Sequence, residues 1–96
     1  MAAYFIVHAL ENLNPEAMKR YAANVEDTIK KHNGRFLVRS LDFEVVEGDY
    51  TPKRIVVVEF DDMAALKGWY DGPAYAELKK TRLANTVSNA FMVEGV

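Results

Sequence analysis

Cysteine is absent from the 96 residues, which excludes disulfides, thiolate metal sites and a cysteine nucleophile together. Redox logic therefore leaves the compartment open. Positive charge is thinly spread: no lysine or arginine run exceeds a pair, and the formal net charge is −2. A phosphate backbone needs a concentrated positive field, so no nucleic-acid partner is expected. Long apolar runs are also missing. Met1 to Leu10 has no basic lead-in and is far too short to span a bilayer, so neither secretion nor membrane insertion is indicated and a cytoplasmic location is the default. Histidine occurs only at His8 and His32. With no ligand-spaced carboxylates, zinc-spaced pair, Gly-rich phosphate loop or nucleophile elbow, neither a metal nor a cofactor is expected.

What remains is an ordinary globular balance, half apolar and about a quarter charged. The length predicts a single domain over residues 1–96, with one core modest enough for oligomerisation to supplement its stability. Ala3 to Leu10 is apolar on both alternating faces, as a strand covered on two sides reads. A helix follows, with Asn14 as N-cap, Pro15 at its first position and Glu16 against the macrodipole. Leu13 is placed to staple onto Met18. The apolar stripe runs Met18, Tyr21, Ala22, Val25 and Ile29, with Glu26–Lys30 and Asp27–Lys31 as spaced pairs on the wet side. Gly34 is expected to supply the left-handed exit.

A second strand is predicted from Arg35, bent near Ser40 to Asp42 and continuing through Phe43 to Glu47, before the turn residues Gly48, Asp49 and Pro52. Arg54 to Phe60 reads as a third strand, β-branched and apolar on both faces. Asp61 or Asp62 caps a short helix, Met63 to Tyr70. Gly72-Pro73 interrupts it, and a last helix runs from Pro73 to about Ala84. Ala90 to Glu94 closes the chain as a fourth strand. The order predicts an α+β fold of the ferredoxin-like βαββαβ type, with a four-stranded antiparallel sheet and the helices on one face. The other face would stay bare although two strands are apolar on both sides, so a homodimer through that face is expected.

The segments Asn14-Pro15-Glu16, Gly34-Arg35-Phe36-Leu37-Val38-Arg39, Glu47-Gly48-Asp49, Val57-Val58-Glu59-Phe60, Trp69-Tyr70 and Pro73-Ala74-Tyr75, with the closing Val93-Glu94-Gly95-Val96, resemble the family called domain of unknown function 1330. The resemblance spans nearly the whole chain. It implies a dimeric α/β barrel and lends no activity. The family's usual pattern has two glycines where this chain has Ser40-Leu41 and a serine where it has Gly72, so no hydroxyl role carries over to position 72. Relatives of this barrel include cofactor-independent monooxygenases, haem-degrading enzymes and small-ring isomerases; that analogy is one of fold.

Arg39 and Glu59 interrupt apolar strands that should be hairpin neighbours, and if buried they should pair. One reading makes Arg39 an anchor for a carboxylate or enolate with Glu59 orienting it or acting as base; the other is a structural ion pair. Trp69, Tyr70, Tyr75 and Arg82 could wall an aromatic pocket with a cationic floor, opened by the break at Gly72-Pro73, or could be core aromatics at helical spacing. His8, mid-strand among apolar residues, is either a general base or haem ligand or a hydrogen-bonded core histidine. His32 suits a helix C-terminus. Two functions follow: a cofactor-independent enzyme acting on a small aromatic or acidic metabolite, or a non-catalytic dimeric module that binds a ligand or only supports structure.

Overall fold

The computed structural model describes all residues 1–96. Its elements run β1 (Ala3–Asn12), α1 (Pro15–Lys30), β2 (Arg35–Ser40), β3 (Arg54–Phe60), α2 (Met63–Tyr70), α3 (Pro73–Asn85) and β4 (Thr86–Glu94). The four strands form one antiparallel sheet in the order β2-β3-β1-β4. This is the expected ferredoxin-like fold, its second helix divided into α2 and α3. No helix is long and apolar enough to cross a membrane.

Local chemistry explains the helix starts. The Asn14 side chain accepts from the Ala17 amide at 3.1 Å and Pro15 occupies the first turn, while Asp62, the second of the two predicted caps, accepts from Ala65 at 2.8 Å. The exit of α1 differs from expectation. Asn33, not Gly34, takes the left-handed conformation, with φ of 60°. Gly34 serves a steric purpose instead: a Cβ there would stand 2.6 Å from the Phe60 ring and 2.7 Å from Ile29. The spaced pairs Glu26–Lys30 and Asp27–Lys31 do not close into ion pairs.

Period-two alternation sorts the strands onto two faces. Ala3, Phe5, Val7, Val58 and Phe60 point to the helices and join Val25, Ile29, Leu66, Trp69 and Tyr75 in one buried core. Tyr4, Ile6, His8, Ile55, Val57 and Glu59 point to the helix-free face, beside Phe91 and Val93 of β4. Phe91 is 51% exposed and Val93 43%.

Two strand boundaries depart from expectation. β2 stops at Ser40, and its irregularity lies between Phe36 and Val38 rather than near Asp42. Residues 41–53 form a loop in which Val46 is 82% exposed, because no neighbouring strand offers it a ladder partner. β4 begins at Thr86, earlier than Ala90, because the long β1 supplies partners back to Asn12.

Candidate functional site

A cavity of about 480 Å³ opens between α1, the start of α3's return to the sheet and the helix-facing side of all the inner strands. Its apolar lining includes Phe5, Val7, Val25, Val56, Val58 and Trp69. Met18, Tyr21 and Ala22, read from the sequence as buried stripe, line this space and are only partly buried. The break at Gly72-Pro73 does not create the opening. It lets Tyr75 stack on Trp69 with ring centroids 4.1 Å apart, which fills the angle between α2 and α3. Tyr70 lies outside the lining, covered by Lys79, whose ammonium sits 4.3 Å from the ring centroid.

Arg82 is the unusual group. It is only 6% exposed, yet no carboxylate lies within ion-pair distance. Its Nε donates to the Tyr75 hydroxyl at 3.1 Å and its Nη1 to Ser88 Oγ at 3.1 Å. Nη2 has no protein partner. Since no fully enclosed side-chain nitrogen or oxygen lacks one, Nη2 must reach open space, and the space bordered by Arg82 is the cavity. Burial by itself pulls the guanidinium pKa down, but the phenols of Tyr75, Tyr21 and Tyr70 outweigh it and hold it above the ordinary value. The charge is therefore permanent.

A second polar group joins it. Tyr75 is fully buried and its oxygen already accepts from Arg82; its own O–H has one nearby acceptor, the Tyr21 hydroxyl at 2.6 Å. Leaving that proton unpaired would cost about 1–3 kcal/mol, so Tyr75 donates to Tyr21. The Tyr21 proton is then free for whatever occupies the cavity it lines. Burial, reinforced by Tyr75, pushes the Tyr21 phenol far above its ordinary value, which keeps it a neutral donor. Beneath this pair, Trp69 Nε1 donates to Thr28 Oγ1 at 3.0 Å and Thr28 donates to the Val25 carbonyl at 2.7 Å, fixing the indole at the cavity wall.

The residues singled out in the sequence divide between the two sheet faces. Trp69 and Arg82 border the cavity, Tyr75 supports both from behind, and Arg39 lines the far side. Glu59 and His8 do not join them. The expected Arg39–Glu59 pair does not form: the irregularity in β2 puts Arg39 opposite Val56 on the helix side and Arg35 opposite Glu59 on the bare side. Glu59 binds Arg35 at 2.6 Å, whereas Arg39 donates to the Ala22 carbonyl and lies 4.3 Å over the Phe36 ring. His8 meets the Tyr50 hydroxyl at 3.2 Å and the edge of Phe91 on the helix-free face, hydrogen-bonded and half-buried but outside the helix-side core. His32 sits beyond α1, beside Gly68 and away from the lining. Tyr21, Ser88, Lys53 and Arg54 also line the cavity and were not anticipated. The Tyr21 signal was present in the sequence, a polar-tipped ring inside an otherwise aliphatic stripe.

Solved structures share the fold. A protein of unknown function from Rhodopseudomonas palustris superposes with a TM-score of 0.77 at 16% identity, covering 99% of this chain and 82% of that one. A dimeric ferredoxin-like protein of unknown function from Jannaschia sp. CCS1 gives 0.75 at 17% identity, covering 99% and 100%. SnoaB, a cofactor-independent oxygenase from Streptomyces nogalater, gives 0.65 at 13% identity, covering 99% and 92%. Comparison with curated proteins gives no match. A family model described as a domain of unknown function, DUF1330, matches residues 2–96.

Proposed function

The chain belongs to the DUF1330 family, whose name assigns no activity, and from the site itself we propose that it binds a small anionic molecule with an apolar or aromatic body. One observation carries this reading: Arg82 is buried without a counter-ion and keeps a free nitrogen toward a roomy, mostly apolar cavity. No carboxylate accompanies this buried charge, and an anionic ligand supplies the counter-charge while the Phe5 and Trp69 rings cover its body. Arg82 and Tyr21 supply two donors to one oxygen-rich group, the arrangement that stabilises a carboxylate or a developing enolate or phenolate. Cofactor-independent chemistry at that oxygen is the catalytic form of the proposal, and the oxygenase activity of SnoaB supports it as an analogy of fold only. The non-catalytic form has its own support, since Glu11 is the single carboxylate in the lining and no histidine borders it.

The working unit of the proposal is a homodimer through the helix-free face. Support comes from the exposed Val38, Phe91 and Val93 there and from the dimeric neighbour of Jannaschia. Titration of benzoate and phenylacetate against the fluorescence of Trp69, the only tryptophan, tests the pocket. Saturable change at millimolar ligand, absent in Arg82→Met, is expected. No change in fluorescence or thermal stability across aromatic and aliphatic acids would overturn it.

A further inference from the structure

Charge is distributed very unevenly around the cavity. Lys19, Arg39, Lys53, Arg54 and Arg82 line it against Glu11 alone. Five cations and one carboxylate leave the lining at +4, so a chain of net charge −2 carries −6 elsewhere. None of the five cations is in an ion pair; the four pairs of the protein use Arg35, Lys79 and Lys80. In a protein rich in carboxylates, cations left unpaired around one opening are poised for negative charge from outside.

Strand register shows that these charges form two groups. Ser88, Ala9 and Arg54 stand in one row across β4, β1 and β3. Arg82 is anchored on Ser88 at one end of that row. Arg54 is at the other, two strand spacings or about 10 Å away. Arg39 is opposite Val56, two residues along β3 from Arg54, which makes the two arginines diagonal neighbours on the same face. Like charges on neighbouring positions repel, and neither arginine has a carboxylate within ion-pair distance. Between the two ends lie Ala9, Val7 and Val56, small or apolar side chains that can carry the body of a ligand.

On the premise of the anion pocket proposed above, we infer that its ligand is a dianion: one carboxylate or enolate at Arg82 and Tyr21, and a second acidic group at Arg54 and Arg39, joined by a short apolar body. The two ends stand about 10 Å apart at the level of the backbone and the Arg54 side chain is exposed at its strand end, so the cavity of about 480 Å³ has room for a body on the scale of one aromatic ring between two acidic groups. The inner end is enclosed and sets specificity. The outer end is exposed and acts through attraction that salt weakens.

Benzene-1,4-dicarboxylate and benzoate, titrated against Trp69 fluorescence, test this directly. The dicarboxylate should bind about ten-fold more tightly than benzoate, and Arg54→Gln should reduce that ratio to about three or less. Arg54 is exposed at a strand end, so the variant should fold. Independently of any variant, raising salt from 0.05 to 0.5 M should shrink the ratio in the parent protein. Equal affinity for the two acids, or a ratio indifferent to salt, overturns the dianion while the anion pocket stands. Failure of both acids to bind overturns the two together.

Discussion

If Arg82 is retained for a ligand, its removal should be nearly harmless to the empty protein and fatal to binding. Arg82→Met keeps the length of the aliphatic stem beside Phe5 and deletes the charge. The fold loses two hydrogen bonds, to Tyr75 and Ser88, worth about 1.5–3 kcal/mol each for a charged donor. It is also relieved of the burial penalty that pulls the guanidinium pKa down, several kcal/mol for an ion held out of water, which the lost phenol contacts slightly exceed. Tyr75 keeps its bond to Tyr21, and half-buried Ser88 can turn to solvent, so neither is orphaned. These opposing quantities should leave stability within about 1 kcal/mol of the parent, a shift of no more than about 4–8 °C in Tm for a domain of this size. Urea and thermal melts without ligand measure it. With benzoate at ten times its Kd, the parent should gain about 1.4 kcal/mol and the variant nothing. A loss above about 3 kcal/mol in the empty protein, the behaviour of a broken buried ion pair, would refute the reasoning and make Arg82 a structural pillar.

Three further outcomes follow from the geometry. Val57→Asp puts a carboxylate on the helix-free face and should convert a light-scattering mass of twice 10.9 kDa into the single-chain value or into aggregate; a parent already at the single-chain mass would sink the dimer. Gly34→Ala drives a methyl group into Phe60 and Ile29, both buried, and should lower stability by about 1–3 kcal/mol in denaturant melts. In double-mutant cycles to alanine, Arg35 and Glu59 should couple by only about 0.2–1 kcal/mol, since Arg35 is 53% exposed, and the coupling should fade with salt, while Arg39 and Glu59 should be additive.

The parts of this molecule that were legible in the sequence are those governed by neighbours in the chain. Asn14-Pro15 and Asp62 announce helices because a cap acts over three residues, and the β-branched run of β3 declares itself without reference to a partner. Register is different. The alternation of Phe43 to Glu47 reads as strand, but a strand needs a ladder, and only the folded sheet shows that none is available there. The irregularity between Phe36 and Val38 has no residue signature, yet it turns Arg39 to the helix side while Arg35 stays opposite Glu59 on the bare side, because a slip of one residue exchanges the faces. At the candidate site, Trp69, Tyr75 and Arg82 could be nominated together because one short stretch carries them. Tyr21, Ser88 and Arg54 come from three other elements, and nothing short of tertiary structure joins them to it.

The sheet that floors the cavity is one backbone thick, and adjacent residues along it look into separate compartments. Positions 54, 56 and 58 face the cavity side and 55, 57 and 59 the bare side; 5, 7 and 9 alternate with 4, 6 and 8 in the same way. Selection can therefore act on the two compartments almost separately, since a substitution at one parity leaves the other lining in place. A lineage could exchange the proposed ligand through the first set while keeping the proposed pairing of sheets through the second, so descendants with one quaternary form could come to handle unrelated compounds.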